Sequence, residues 1–227
     1  MSFFNNITGT PGNNTLFGTV ENDCIDGLAG NDTITGSEGI NFISGGDGND
    51  RIDGGSRQDV IFGGNGDDTI AGSESVNSLF GDNGNDLIYG GSQQEVILSG
   101  GNGNDTIFGS EGNNRIFGGA GDDIIYSGSG NDLIVSGSGN DTLWLGGGED
   151  VIFLESGNGF DTINNFQLGL TIFDLANPNQ LSIIDGDNGA EISRGGDILA
   201  VVRFTQASTL IDNFSEVFVD NLSEIFV

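Results

Sequence analysis

The chain has 227 residues, of which 42 are Gly, 34 are Asp or Glu and only 5 are Lys or Arg, with no His, one Cys and a formal charge of −29. That charge leaves no basic patch for nucleic acid phosphate or an anionic membrane surface, and no apolar run reaches the length of a membrane span. Without His, and with Cys24 alone, imidazole chemistry, His- or Cys-based metal sites and an intramolecular disulfide scaffold are excluded.

The opening MSFFNNITGT has neither a basic segment nor an apolar core, so no ordinary signal peptide is expected. From about residue 9 the chain reads in nines. GLAGNDTIT at 27–35 is followed without a break by GSEGINFIS, GGDGNDRID, GGSRQDVIF, GGNGDDTIA, GSESVNSLF and GDNGNDLIY. The pattern runs on to about residue 153, with one extra residue near Ser99 and a longer spacing before Asp161. With the usual aspartate placed sixth, the eighth position is Leu16, Ile25, Ile34, Ile43, Ile52, Ile61, Ile70, Leu79, Ile88, Ile97, Ile107, Ile116, Ile125, Ile134, Leu143, Ile152 and Ile163.

A period of nine is neither the 3.6 of a helix nor the 2 of a strand, and a flexible Gly-rich linker would keep no invariant apolar position. Six residues rich in Gly, Asn and Asp are read as a turn, and three such as Thr-Ile-Phe as a short strand whose middle side chain points inward. Two units then close one coil of 18 residues. Stacked coils give two parallel sheets with a narrow Ile/Leu ladder between them, an all-β solenoid whose units cannot bury an apolar face alone.

The repeated GGxGxD resembles the glycine- and aspartate-rich nonapeptide of RTX proteins, the haemolysin-type calcium-binding repeat, over roughly residues 9 to 165. The resemblance implies a parallel β-roll with calcium between successive turns, ligated by the sixth-position carboxylate and turn carbonyls, and export through a type I secretion machine. Glycine allows turns that aim carbonyls at an ion, and calcium accepts six to eight oxygens.

The turns alternate between two edges of the roll. On edge A the fourth and sixth positions are Gly12/Asn14, Gly30/Asp32, Gly48/Asp50, Gly66/Asp68, Gly84/Asp86, Gly103/Asp105, Gly121/Asp123 and Gly139/Asp141. On edge B they are Glu21/Asp23, Gly39/Asn41, Arg57/Asp59, Ser75/Asn77, Gln93/Glu95, Gly112/Asn114, Gly130/Asp132 and Gly148/Asp150. Edge A is expected to hold an unbroken file of calcium ions between its Asp turns, with a weaker site at Gly12/Asn14. Edge B, where asparagine is read as a neutral oxygen donor that cannot neutralise the ion, is expected to be mostly empty until Asp132 and Asp150, which can share one. The expected total is about seven ions. The column of carboxylates repels itself without metal, and one inward aliphatic residue per unit is a thin core, so folding is expected to require calcium.

The ninth positions are expected to face outward: Phe17, Thr35, Asp53, Ala71, Tyr89, Phe108, Tyr126 and Trp144 on one sheet, Asp26, Ser44, Phe62, Phe80, Leu98, Phe117, Val135 and Phe153 on the other. Both rows become aromatic toward the C-terminal half. They could bind a polysaccharide, a partner or another copy, or simply suit strands.

After residue 165 the nines stop. LGLTIFDLA, QLSIIDG, AEISRGG, DILAVVRF and ASTLIDNFSEVFV are read as longer strands joined by turns, so residues 1–165 form the roll and 166–227 a C-terminal β cap over its open end. The final EVFVDNLSEIFV resembles an uncleaved type I secretion signal; the plain alternative is a last strand pairing with the cap. The cap holds no His, Cys or Lys, and Asp185 and Asp187 lie in a DGDNG turn, so no enzyme activity is expected. The reading is a calcium-binding secreted or cell-surface structural protein. The alternatives are a calcium-dependent adhesion or polysaccharide-binding module and the C-terminal fragment of a larger secreted toxin or enzyme.

Overall fold

The computed structural model describes residues 4–75, 77–92, 96–155, 159–175 and 177–219. Each coil contributes one strand to each of two parallel sheets. The first sheet runs from Asn5–Thr8 through Asp23–Asp26, Phe42–Asp47, Val60–Asn65 and onward to Asp150–Phe153, Thr171–Asp174 and Phe218–Val219. The second runs from Thr15–Phe17 through Thr33–Thr35 to Thr142–Trp144 and Asp161–Asn164, and is completed by Asp197–Arg203, Gly189–Arg194 and Leu181–Gly186. Register is set by the repeat: Ile43 pairs with Ile61, Ile61 with Leu79 and Ile88 with Ile107, so inward side chains stack directly on their counterparts one coil away. From Ile25 onward this ladder is essentially inaccessible to water, whereas Ile7 and Leu16 at the first coil are only partly buried.

Three features depart from the sequence-based expectation. Strands of the first sheet reach six residues rather than three from Phe42–Asp47 onward, because the start of the edge A turn stays in the ladder, with Gly46 paired to Gly64 and Asp47 to Asn65. At Gly46 (φ 110°) an added Cβ would run into the Leu28 carbonyl, which favours glycine there, although Asp82 takes the same ladder position at φ 74° within Ser78–Asn83.

The second departure is a register shift at the extra residue. Ile97 pairs with Ser78 and Leu98 with Leu79, so Leu98, not Ile97, occupies the core. Val96 takes the sixth position, fully buried, in place of the expected Glu95; Gln93 and Glu95 lie outside the described residues. The insertion is absorbed in the turn before the strand, because a slip inside the ladder would have turned every following side chain to the wrong face. Ser99 consequently faces outward where Leu98 was expected and interrupts the aromatic row between Phe80 and Phe117.

The third departure is helical. Leu181–Gly186, Gly189–Arg194 and Asp197–Arg203 form an antiparallel meander, and Asp197–Arg203 lies parallel to Asp161–Asn164, covering that sheet's last edge. ASTLIDNFSEVFV, however, is Ala207–Asp212 and Phe214–Val217 in helical turns followed by the short strand Phe218–Val219. Ala207, Leu210, Phe214 and Val217 recur every three or four residues and pack on the core, a helical period that the β-branched residues around them disguised. Asp185 Oδ1 accepts the N–H of Ala207 at 2.6 Å and fixes where the helix starts. Phe218–Val219 pairs with Phe173–Asp174, so a short late strand joins the first sheet. Residues 220–227 of the secretion-signal reading lie outside the described residues.

On the outer face of the second sheet, Tyr89, Phe108, Tyr126 and Trp144 stack at centroid spacings of 5.0, 4.7 and 6.2 Å, with planes within 11° of parallel. Phe62 and Phe80 stack in the same way on the first sheet, at 4.9 Å. The rings lie face to face, so each covers its neighbour's face and shows its edge to solvent.

The register shift predicts an inversion of mutational cost. Leu98→Ala should destabilise the calcium-loaded protein by about 2–5 kcal/mol, the range for a buried leucine, and Ile97→Ala by about 1 kcal/mol or less. Chemical denaturation of both variants at fixed calcium checks it; a larger loss for Ile97→Ala would restore the unshifted register.

Candidate metal centre

The sixth-position side chain does two jobs with its two terminal atoms. On edge A the N–H of each sixth residue donates to Oδ1 of the sixth residue in the following coil. This chain of bonds runs from Asn14 to Asp32, then through Asp50, Asp68, Asp86, Asp105 and Asp123 to Asp141, at 2.6–2.8 Å throughout. One carboxylate oxygen is thereby spent on holding the coils in register. The other, Oδ2 of Asp32, Asp50, Asp68, Asp86, Asp105, Asp123 and Asp141, is buried and has no hydrogen-bond partner. A row of unpartnered buried acceptors is a costly arrangement unless something positive completes it.

The space beside these oxygens is shaped by glycine. A Cβ on Gly27, Gly45, Gly63, Gly81 or Gly100 would stand closer than 3.0 Å both to Oδ2 of its own unit's aspartate and to a glycine carbonyl oxygen of the next coil. Gly118 shows the same with Asp123 Oδ2 and the Ser136 carbonyl. The fourth-position glycines Gly30, Gly48, Gly66, Gly84, Gly103, Gly121 and Gly139 all have φ between 109° and 139°, bringing consecutive turns into close carbonyl approach. Each cradle thus presents one anionic oxygen and neutral carbonyl oxygens, with neither imidazole nor thiolate, a donor set that fits calcium. Among the described residues no three His, Cys, Asp or Glu side chains converge on one point, so backbone oxygens must supply most of any ion's ligands.

Metal-free, the carboxyls from Asp50 to Asp141 are strongly perturbed. Burial, reinforced by neighbouring carboxylates and opposed by the N–H from the preceding coil, pushes Asp50 and Asp86 up to about 6 and Asp68, Asp105 and Asp123 up to about 7. Asp141 is raised for the same chief reason. Asp161 prolongs the file past the longer spacing, with Thr162 paired to Thr142. It is buried and raised to about 8, and its Oδ2 accepts the Ser136 hydroxyl at 2.8 Å. In the sequence the wider spacing hides its equivalence to Asp141.

Edge B is built differently. Asp132 donates its N–H to Asp150 Oδ1 at 3.1 Å and keeps Oδ2 unpartnered; burial raises Asp132 to about 6 and Asp150 to about 7. Asp59 also has an unpartnered Oδ2 and is raised to about 7 by burial. Asp23 instead is closed by Thr19, whose N–H and hydroxyl both donate to it, and by the Asn5 amide. Asn114 keeps a buried, unpartnered Oδ1, as a spare oxygen donor would, but Asn41 and Asn77 do not: Oδ1 of Asn41 accepts the Asp23 N–H at 3.1 Å. Asn77 accepts the Asp59 N–H through Oδ1 at 2.8 Å and donates Nδ2 to the carbonyls of Gly72 and Ser75 at 2.6 and 3.2 Å.

A second ladder, not among the sequence-based expectations, runs along the rim of edge A. The fifth-position N–H groups of Asn31, Asn49, Asp67, Asn85, Asn104, Asp122 and Asn140 each donate to Oδ1 of the fifth residue one coil earlier, beginning at Asn13, at 2.8–3.1 Å. The signal was present, since the fifth position is Asn or Asp in all eight edge A units.

The raised carboxyls fix the pH response of the metal-free chain. Their folded pKa values of about 6 to 7 lie above the ordinary 3.8, so between these limits the roll holds more protons than the unfolded chain. These groups therefore weaken the metal-free roll as pH rises through that window and cease to do so below it. In metal-stripped buffer the sheet signal in far-ultraviolet circular dichroism should grow as pH falls from about 8 to about 5. A signal that is flat or grows with pH would contradict the burial of these groups.

Residues 2–94 and 99–163 match the model of the RTX calcium-binding nonapeptide repeat, in overlapping segments whose gap coincides with the register shift before Leu98. Comparison with curated proteins gives no match. The repeat is a structural, calcium-binding one rather than a catalytic one, and no helix among the described residues is long and apolar enough to cross a membrane. With its nonapeptides, its two-sheet roll and its match across most of its length, the chain belongs to the RTX calcium-binding nonapeptide repeat family.

Proposed function

We propose that the chain is a secreted or surface-associated structural rod that folds when extracellular calcium fills edge A. The observation that carries this is the row of buried, unpartnered Oδ2 atoms from Asp32 to Asp141, those from Asp32 to Asp123 each lying near a carbonyl of the next coil. Asp32, Asp50, Asp68, Asp86, Asp105, Asp123 and Asp141 would supply the anionic ligand, and the turns carrying Gly30, Gly48, Gly66, Gly84, Gly103, Gly121 and Gly139 the neutral ones. Asp132 and Asp150, in turns closed by Gly130 and Gly148, would hold one more ion, for about seven in all. Bound calcium would neutralise the file and tie consecutive coils together. A chain this acidic stays expanded where calcium is scarce, which suits passage through a type I exporter, and the meander and helices of residues 166–227 would close the end of the roll.

The aromatic rows are assigned to coil-to-coil stacking rather than to a polysaccharide. A sugar packs on ring faces, and the faces of Phe108 and Tyr126 are taken up by their neighbours.

Two measurements test the reading. Metal-free protein near neutral pH should look disordered by circular dichroism and gain sheet on adding calcium in the millimolar range, and anomalous diffraction should show a dense file along Asp32 to Asp141. Asp86→Ala should lose about two ions and raise the calcium midpoint, because the ions on both sides of its turn share that turn's oxygens. A full sheet spectrum without metal, or an unchanged ion count in Asp86→Ala, would overturn it.

A further inference from the structure

The asparagine turns of edge B put a donor where the aspartate turns of edge A put an acceptor. A Cβ on Gly36 or Gly72 would meet, at 2.8 Å in both cases, Nδ2 of Asn41 or Asn77, together with the Gly54 or Gly90 carbonyl of the next coil. On edge A the equivalent point at Gly45 or Gly63 meets Oδ2 of Asp50 or Asp68 and a next-coil carbonyl. The amide nitrogen then turns on its own turn's carbonyls. Asn41 Nδ2 donates to Gly36 O and Gly39 O at 3.2 and 3.4 Å, Asn77 Nδ2 to Gly72 O and Ser75 O, and Asn114 Nδ2 to Gly112 O at 3.0 Å.

The orientation of Asn41 and Asn77 is determined by their partners. Oδ1 of each faces an N–H, from Asp23 and Asp59, while Nδ2 faces carbonyls, so exchanging the two atoms would set acceptor against acceptor and donor against donor. An acceptor-only carboxylate could not satisfy those carbonyls; it would need a cation between itself and them. The amide needs none, because its N–H groups carry the positive ends of the dipoles the carbonyls seek.

We infer that Asn41 and Asn77 are built-in replacements for a bound cation, so that their turns close without metal and the calcium response is confined to edge A and the last coils of edge B. Asn77 is the better placed of the two for a test. It lies one coil from Asp59, whose Oδ2 is buried and unpartnered, so a carboxylate at 77 would recreate the paired geometry of edge A. The inference rests on the calcium reading of edge A.

The test compares the full-length wild type with Asn77→Asp and Asn77→Ala, measuring calcium per chain by elemental analysis after equilibrium dialysis and the calcium midpoint by circular dichroism. Asn77→Asp should carry about one more ion than the wild type and need more calcium to fold, because its turn no longer closes unaided. Asn77→Ala should keep the wild-type count and lose stability at saturating calcium. If Asn77→Asp fails to fold at any calcium concentration, Asn41→Asp decides, since Asp59 in the next coil has an unpartnered Oδ2. A wild type that takes up no calcium would defeat the reading of edge A. A wild type that loads calcium, with no extra ion in the folded Asp variants, would overturn this inference alone.

Discussion

Everything in the roll turns on how one short side chain divides its two terminal atoms between neighbouring coils. Oδ1 of the sixth residue accepts the backbone N–H of the coil before, at hydrogen-bond distances that barely vary along edge A. What the other atom is decides the chemistry of the turn. An oxygen there is buried without a partner and waits for a cation; a nitrogen there closes the turn by itself. A difference of one atom separates the open aspartate turns, which fill edge A and recur at Asp59 and Asp132 on edge B, from the asparagine turns at Asn41 and Asn77 that close on their own carbonyls.

The same division underlies the proposal that the fold is conditional on calcium. The core is a single file of Ile and Leu per sheet, well packed but narrow, and the polar edges are too close to it to stay hydrated. Burial raises the edge A carboxyls toward neutrality, and each charge that survives repels the next in the file. Ladders that need no metal, the fifth-position Asn/Asp bonds and the stacked rings of Tyr89, Phe108, Tyr126 and Trp144, add order along the axis without removing this penalty. The first coil avoids it in another way: the Asn14 amide donates to the Thr10 hydroxyl, and Thr19 satisfies Asp23, so the roll starts on turns that close internally.

The two ends of the rod therefore differ in kind. At the start, side chains seal the turns while Ile7 and Leu16 stay half-covered. At the finish, the antiparallel meander takes over the edge of one sheet and Phe218–Val219 the edge of the other, so both last parallel strands are paired. Such closure matters more here than in a globular domain, since an exposed parallel edge is a template for another chain.

Much of this follows from the sequence alone. A nine-residue period with an apolar residue in one fixed place admits few structures other than a stacked two-sheet coil, and the contrast between GGNGDD and GSESVN already marks the edges as unequal. Three things needed the folded chain. That Leu98 rather than Ile97 enters the core depends on where an insertion is absorbed, and two adjacent aliphatic residues give no local sign of it. That ASTLIDNFSEV is helical depends on the core surface it meets, against which its three-to-four spacing outweighs strand propensity. That asparagine donates into its turn depends on which atoms of the neighbouring coils surround it: composition gives the side chain both a donor and an acceptor, and only the stacked coils decide which one faces the carbonyls.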